Sequence, residues 1–372
     1  VDWYGSPATD LIRRRWLDNS FFVMNASLNY ANGKTALISG MSYSHYDGDH
    51  FGEVIWAREF AENSSIRDHY YDSNTVKNDF NVFSKLTYDI SETWELYADL
   101  QLRMVGVETS GLTSDRVPIE VDENYTFFNP KAGFTYTVNE NNSLYLSYSK
   151  ASKEPNRNDF EQGATKAEKL HDFEFGWRLK SEKIELNANL YYMNYKDQLV
   201  LTGDIDDTGA YIRRNVHNSF RAGLEIDSKI ALNSALALQP SITISTNKIK
   251  DFVLERDGIE KNLGNTNIAF SPNVILGNAL IYRPNSKFQA ALLSKYIGEQ
   301  YLSNTDTEAS KLDTYFVNDL NLNYTINCRR VFKSIAFNLL INNIFDELYV
   351  SNGYTYLDFW STPGNSFEVQ GY

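Results

Sequence analysis

The sequence predicts an all-β protein: an antiparallel, up-and-down β-barrel of the kind that crosses a membrane with strands. Three observations carry that prediction. Apolar and polar residues alternate with period two over segments much longer than the roughly five or six residues of an ordinary strand. The connections between those segments alternate strictly between short polar turns and long loops. The aromatic content is 14%, with 25 Tyr and 22 Phe, which suits a wall with an apolar body and wet rims.

The alternation is explicit along the chain. In "WELYADLQLRM", Trp94, Leu96, Ala98, Leu100, Leu102 and Met104 oppose Glu95, Tyr97, Asp99, Gln101 and Arg103. In "HDFEFGWRLK", Phe173, Phe175, Trp177 and Leu179 oppose Asp172, Glu174 and Arg178. "KIELNANLYYMNY" sets Ile184, Leu186, Ala188, Leu190 and Tyr192 against Glu185, Asn187, Asn189 and Tyr191, and "DLNLNYTIN" repeats the scheme. Marking such segments predicts about fourteen strands, near 19–31, 35–46, 77–90, 93–107, 127–139, 142–151, 170–181, 183–199, 211–232, 235–250, 266–283, 287–302, 313–327 and 334–349. The short turns are "NGK", "SET", "ENN", "SEK", "NSA", "PNS" and "CRRVFKS"; the long connections fall near 47–76, 108–126, 152–169, 200–210, 251–265 and 303–312.

Composition narrows the class. At 372 residues, 42% hydrophobic and 22% charged, the chain is neither disordered nor fibrous. A net charge of −13 argues against a nucleic-acid partner. Cys328 is the only cysteine, so an internal disulfide or cysteine-based metal site is excluded. No apolar run reaches the length of a transmembrane helix, which leaves a membrane barrel untouched. A soluble sandwich or propeller also alternates. The membrane reading is favoured because tilted strands of this length cross an apolar layer of about 25 Å. About fourteen sequential hairpin strands also exceed what an open soluble sheet usually carries.

The turn pattern makes a further prediction. Short turns mark the periplasmic rim of such a barrel, so the first strand starts outside and the last ends outside. Complete single-chain barrels keep both termini in the periplasm. The expectation is therefore a partial barrel over 1–372, with at least one strand before Val1 and one after Tyr372.

Four stretches also carry a family resemblance. "NNIFDELYVSNGYTY" resembles the Asn-Asn-(Leu/Ile)-Phe-Asp…Tyr segment near the end of TonB-dependent outer-membrane receptors, and "LYLSYSKASKEPNRNDF" resembles their Ser-aromatic-Ser…Glu-Pro-x-Arg strand and loop. "EQYLSNTDTEASKLDTYFVNDLNLNY" and "DGDHFGEVIWAR" are similar to members from Bacteroidetes. The resemblance implies a barrel of about 22 strands filled by an N-terminal plug, of which this chain would be the later part without plug, early strands or last strand. It also implies a nutrient receptor: capture outside, then import with energy from TonB acting on the missing plug. The modest loops point to ferric siderophore, haem or cobalamin-like cargo rather than glycans. The alternatives are a passive porin or a soluble β-propeller acting as a binding module or enzyme.

No catalytic set emerges: phosphate-loop, dinucleotide and zinc-protease motifs are absent from the sequence. Arg13, Arg14 and Arg15 with Trp16 are candidates for clamping an anionic chelate or a lipopolysaccharide phosphate, since guanidinium forks match such oxygens; their bland reading is pairing with loop acids. Trp56 and Tyr125, with Trp3, Tyr4, Tyr70, Tyr71 and Phe127, are candidates for stacking on a cargo ring or for packing loop against loop. His45, Asp47, Asp49, His50 and Glu53 lie within nine residues, dense enough to hold a loop-bound divalent cation. The competing reading is a solvated acidic loop, and "GDIDD" is read the same way. The expected surroundings are outer-membrane lipid and lipopolysaccharide.

Overall fold

In a computed structural model of the chain, the period-two segments form long antiparallel strands. The structure describes residues 10–60, 63–205, 209–256, 259–328, 331–356 and 368–371. They fall into two compact units. The first takes residues up to Thr87, with Ala98–Pro130 and Ser152–Ala167; the second takes Tyr88–Tyr97, Lys131–Ala151 and the chain from Glu168 onward.

In the first unit β1 (Leu11–Asn32), β2 (Thr35–Ala57), β3 (His69–Asp89) and β4 (Trp94–Leu112) lie side by side, and β5 (Pro118–Phe128) folds back onto β4. A five-residue helix, α1 (Arg157–Glu161), completes it. Gly33, with φ +56°, supplies the left-handed residue that the tight β1–β2 turn requires.

The second unit continues with β6 (Lys131–Asn139), β7 (Asn142–Lys153), β8 (Glu168–Lys180), β9 (Ile184–Ile205), β10 (Tyr211–Ala231) and β11 (Leu236–Ile249). Beyond these come β12 (Val253–Arg256), β13 (Ile259–Asn262), β14 (Thr266–Asn267), β15 (Val274–Asn285), β16 (Phe288–Ile297), β17 (Gln300–Tyr301) and β18 (Lys311–Leu312). The series ends with β19 (Tyr315–Asn327), β20 (Ser334–Ile341), β21 (Gly353–Tyr356) and β22 (Glu368–Gly371). The sheet order is β6-β7-β8-β9-β10-β11-β15-β16-β19-β20; β14 pairs with β11, while β12–β13, β17–β18 and β21–β22 are separate ribbons.

Register converts alternation into rows. Trp177, Ala188, Ile226 and Ile242 line up across β8–β11, and Phe175, Leu190, Leu224 and Ile244 form the next row. Much of this face is open: Phe175 is 46% exposed, Leu190 52% and Ile244 53%, with Ala188, Leu224, Ile226 and Ile242 half-buried between them. The opposite face carries Asp172, Glu174, Arg178, Asn189, Arg221 and Glu225. Leaving so much apolar area in water forfeits about 25 cal/mol per Å², so the medium fitted to this face is itself apolar.

Several strand limits differ from expectation. β2 runs on to Ala57 and β1 begins at Leu11, so the stretches 45–53 and 13–16 lie in paired strands rather than in loops. The segment expected over 127–139 is broken at Pro130, which has no N–H for a ladder. The segment over 266–283 breaks around Phe270, whose φ is +54°. The last strand stops at Ile341, not 349: Asn343 and Asp346 are left-handed, and the Asn343 side chain accepts from Glu347 N at 3.0 Å.

Polar-face glycines seat aromatic rings from neighbouring strands. Phe83 of β3 lies over Gly40 of β2, Tyr97 of β4 over Gly133 of β6, Tyr145 of β7 over Gly176 of β8, and Tyr191 of β9 over Gly223 of β10. A Cβ at Gly176 would fall inside the Tyr145 ring, whose hydroxyl donates to Asn189 at 3.0 Å. Gly176→Val is therefore expected to destabilise the fold by about 1–3 kcal/mol, the usual range for overpacking. Denaturant unfolding of the reconstituted protein would measure it, and an unchanged midpoint would contradict the ring-over-glycine packing.

Candidate functional site

The candidate site is the polar face of the first unit at the ends of its strands away from the Gly33 turn. Alternation along β1 splits the Arg13–Trp16 quartet between two faces. Arg13 and Arg15 sit opposite Val54 and Gly52. The Arg13 guanidinium lies 5.6 Å from the Tyr70 ring centroid. Tyr70 packs with Val54, Ala57 and Tyr71, and Arg15, Arg157 and Glu161 share the electrostatic surroundings of Tyr71. Arg14 and Trp16 take the other face, where Arg14 Nε donates to Glu53 Oε2 at 2.6 Å and stacks 4.7 Å from the Trp16 ring. Only two of the three arginines thus share a face.

The acidic stretch of β2 is divided the same way. His45, Asp47, Asp49 and Glu53 alternate onto the Arg14 face of an extended strand, where successive side chains are about 7 Å apart. His45 Nδ1 lies 2.8 Å from Asn78 Oδ1, and Asn74 Nδ2 donates to both Asp47 and Asp49 at 2.8 Å. His50 points to the opposite face, within reach of the Arg157 charge. Among the described residues no three His, Cys, Asp or Glu side chains converge as metal ligands. The density that looked like a cation loop is an extended strand with amide partners.

Sequence reasoning missed the best-built feature of this face. Glu154, 5% exposed, accepts from Arg103 Nη1 at 2.8 Å, Arg103 Nη2 at 2.8 Å and Lys77 Nζ at 2.6 Å. Arg103 is held from behind by Asp79, with Nη2 to Oδ2 at 2.6 Å. Burial alone would raise the Glu154 carboxyl; the Arg103 and Lys77 hydrogen bonds outweigh it and hold the group below the usual range. Three residues on, Arg157 spends its guanidinium on Ser73 Oγ at 2.8 Å, Thr75 Oγ1 at 2.9 Å and Glu161 Oε1 at 2.8 Å.

Helix α1 is capped by Asn156 and Asp159 in a reciprocal box, and its Phe160 packs with Val105, Val107 and Phe127. The connection after β7 is thereby latched onto the polar face of β3–β5. Its signal was in the sequence, as the Glu-Pro-Asn-Arg of "EPNRNDF".

The aromatic candidates separate. Tyr70, Tyr71 and Phe127 are buried in these clusters. Tyr125 stacks on Phe127 and donates to Thr165 O at 3.1 Å, so it clasps the latched connection. Trp56, opposite Ile12, is exposed. Trp3 and Tyr4 lie outside the described residues, as do Asp206 and Asp207 of the "GDIDD" stretch.

In the second unit, the chain beyond β20 returns to the β9–β10 hairpin. Tyr211 Oη donates to Gly353 O at 3.0 Å, and Thr355 Oγ1 to Asp204 Oδ1 at 3.2 Å.

A two-faced wall of antiparallel strands with an exposed apolar side and a charged polar side has a match among known families. A family profile described as "TonB dependent receptor-like, beta-barrel" matches residues 2–344. The chain belongs to the TonB-dependent receptor β-barrel family. Such barrels sit in the outer membrane, and the bare Leu, Phe and Trp rows agree with that placement.

Solved structures show the same fold. The copper transporter OprC superposes with a TM-score of 0.71 at 16% identity, covering 91% of this chain and 52% of its own. The siderophore receptor PiuA from Acinetobacter baumannii gives 0.69 at 17%, covering 96% and 55%. The ferric yersiniabactin uptake receptor FyuA from Yersinia pestis gives 0.67 at 13%, covering 99% and 54%. The chain thus spans about half the length of the structures it matches. No curated protein matches the sequence.

Proposed function

We propose that this chain is barrel wall from an outer-membrane receptor that imports an iron siderophore or a related metal chelate. The plug and the TonB-contacting segment of the family would be supplied by residues outside this sequence. One observation supports the reading above all. Arg13 lies over the buried Tyr70 ring with Arg15 on the same face near Tyr71, while lower down the strands the other face carries exposed apolar side chains such as Phe22, Met24 and Leu28. Anionic oxygens of a chelate suit the guanidinium groups, which the buried tyrosines support from beneath. The Glu154–Arg103–Lys77 latch frames that face rather than contacting cargo. The likeness to Bacteroidetes members rests on the two sequence motifs alone.

Binding of the intact receptor to a panel of ferric chelates, haem, corrinoids and copper tests the proposal. One ferric chelate is expected to bind, and Arg13→Ala with Arg15→Ala to weaken it by about tenfold or more, since a hydrogen bond to a charged group is worth about 1.5–3 kcal/mol. Absence of affinity for every member of the panel, or indifference to both arginines, would remove the assignment.

A further inference from the structure

We propose that Asn352 is a self-modifying site: it cyclises onto the Gly353 nitrogen and converts to aspartate or to an isoaspartyl link. The reaction consumes only water, and it loosens the segment 351–356 from the β9–β10 hairpin.

Two Asn-Gly pairs occur in the sequence, Asn32-Gly33 and Asn352-Gly353. Glycine leaves the backbone nitrogen that follows the asparagine uncrowded by a side chain. Both asparagines are exposed, yet their carboxamides are held differently. Asn352 Oδ1 accepts from Gly353 N at 2.9 Å and from Tyr211 Oη at 3.1 Å. The first bond keeps the attacking nitrogen beside the carboxamide it must reach. The second aims an O–H at the oxygen on which negative charge develops when Cγ becomes tetrahedral.

Tyr211 is placed for this role by its surroundings. Its ring meets Phe270 edge-on at 5.3 Å, and Phe270 N donates to Tyr301 O at 2.8 Å. The same hydroxyl lies 3.0 Å from Gly353 O. Its single proton serves either acceptor and follows the charge as Oδ1 becomes negative.

Asn32 offers the contrast. Its Nδ2 donates to Tyr30 Oη at 3.2 Å, and among the described residues nothing donates to its Oδ1. It also closes the β1–β2 ladder opposite Thr35, so its backbone is held in the turn.

The steps balance with water alone. Gly353 N gives its proton to solvent and bonds to Asn352 Cγ. The Cγ–Nδ2 bond breaks, and the nitrogen leaves as ammonia with a proton from water. Water then opens the succinimide at either carbonyl, giving aspartate or an isoaspartyl link with an extra carbon in the main chain. The longer link displaces Gly353 O from Tyr211. It also pulls on Thr355, which is 1% exposed and donates to Asp204 Oδ1 at 3.2 Å.

The test incubates the purified full-length receptor in detergent at mildly alkaline pH, as wild type, Tyr211→Phe and Asn352→Gln. Peptide mass spectrometry follows amide-to-acid conversion at positions 352 and 32 in the same samples. An enclosed oxyanion donor is worth about a hundredfold in rate or more; Asn352 is open to water, so Tyr211→Phe is expected to slow its conversion by about tenfold. Conversion at Asn32 is expected to be slower than at Asn352 in wild type and unchanged in Tyr211→Phe. Asn352→Gln, which would need a larger ring, is expected to stay an amide. Protease is expected to cut the segment 351–356 in aged wild type and to spare it in Asn352→Gln of the same age.

Equal conversion of the two asparagines in wild type would overturn the site without recourse to any variant. An unchanged or faster rate in Tyr211→Phe would overturn Tyr211 as its catalytic residue. Aged wild type that resists protease as well as Asn352→Gln would overturn the loosening.

Discussion

Arginine at Leu190 is expected to destabilise the folded barrel in lipid by about 2–4 kcal/mol, the range for a cation placed mid-bilayer on the lipid face. Leu190 is 52% exposed and sits in the middle of the Phe175–Leu190–Leu224–Ile244 row, with further apolar residues on either side along β9. A guanidinium there has no polar neighbour to reach without distorting its surroundings. Its sequence neighbour provides the control. Asn189 faces the polar side and accepts from Tyr145 Oη at 3.0 Å, so Asn189→Arg forfeits one hydrogen bond, about 1 kcal/mol. Folding equilibria of both variants in lipid vesicles decide the matter. Equal, small effects would mean that the two faces have been assigned wrongly, and the transport reading would go with them.

Neutralising Glu154 is expected to have a comparable effect on the other face. Glu154→Gln keeps the shape but leaves Lys77 without its carboxylate and Arg103 with Asp79 alone. Removing one partner from a buried ion pair costs about 3–5 kcal/mol. The partial exposure of Lys77 places this case near the lower end, about 3 kcal/mol. The segment from Ser152 to Ala167 is then expected to become cleavable by added protease well before the strands unfold.

The pH dependence follows from the same bonds. The folded carboxyl titrates below its ordinary value of 4.5, so the latch contributes in full above that value and is lost as pH falls through the lower folded one. Wild type should therefore release the segment on strong acidification, whereas Glu154→Gln should show it released throughout. Protection of the segment that ignores both acid and the substitution would show that the Phe160 packing alone holds it.

The strands were legible because their information is local. The Phe173–Phe175–Trp177 and Leu186–Ala188–Leu190 alternations are realised on one shared face, open at Phe173, Phe175 and Leu190, since period two is a property of neighbouring residues. What lay hidden depended on partners distant in the chain. Residues 47–57 read as an acidic, glycine-bearing loop; pairing with β1 and cover from Tyr70 and Tyr71 over Gly52 override that composition.

The same holds for function-bearing groups. The RRRW quartet was visible, but its split between two faces needs β2 alongside it. The role of Glu154 needs Lys77 and Arg103, which are 77 and 51 residues away in the chain. Asn343 and Asp346 ended β20 early through left-handed backbone that a run of Leu and Ile gave no warning of.

The rings seated over glycines bear on how the wall zips up. Tight turns dictate the alignment of strand pairs such as β6–β7, β8–β9 and β10–β11. Long connections cannot dictate it for the pairs between. Gly40 with Phe83, Gly133 with Tyr97 and Gly176 with Tyr145 each bridge strands joined by a long connection, and Gly223 with Tyr191 repeats the device within the β9–β10 hairpin. A slip of two residues between β7 and β8 would drive Tyr145 onto Glu174 or Arg178, side chains with no room beneath a ring. The first three notches therefore act as proofreading checks during assembly, stationed where the connecting chain is too slack to keep the count.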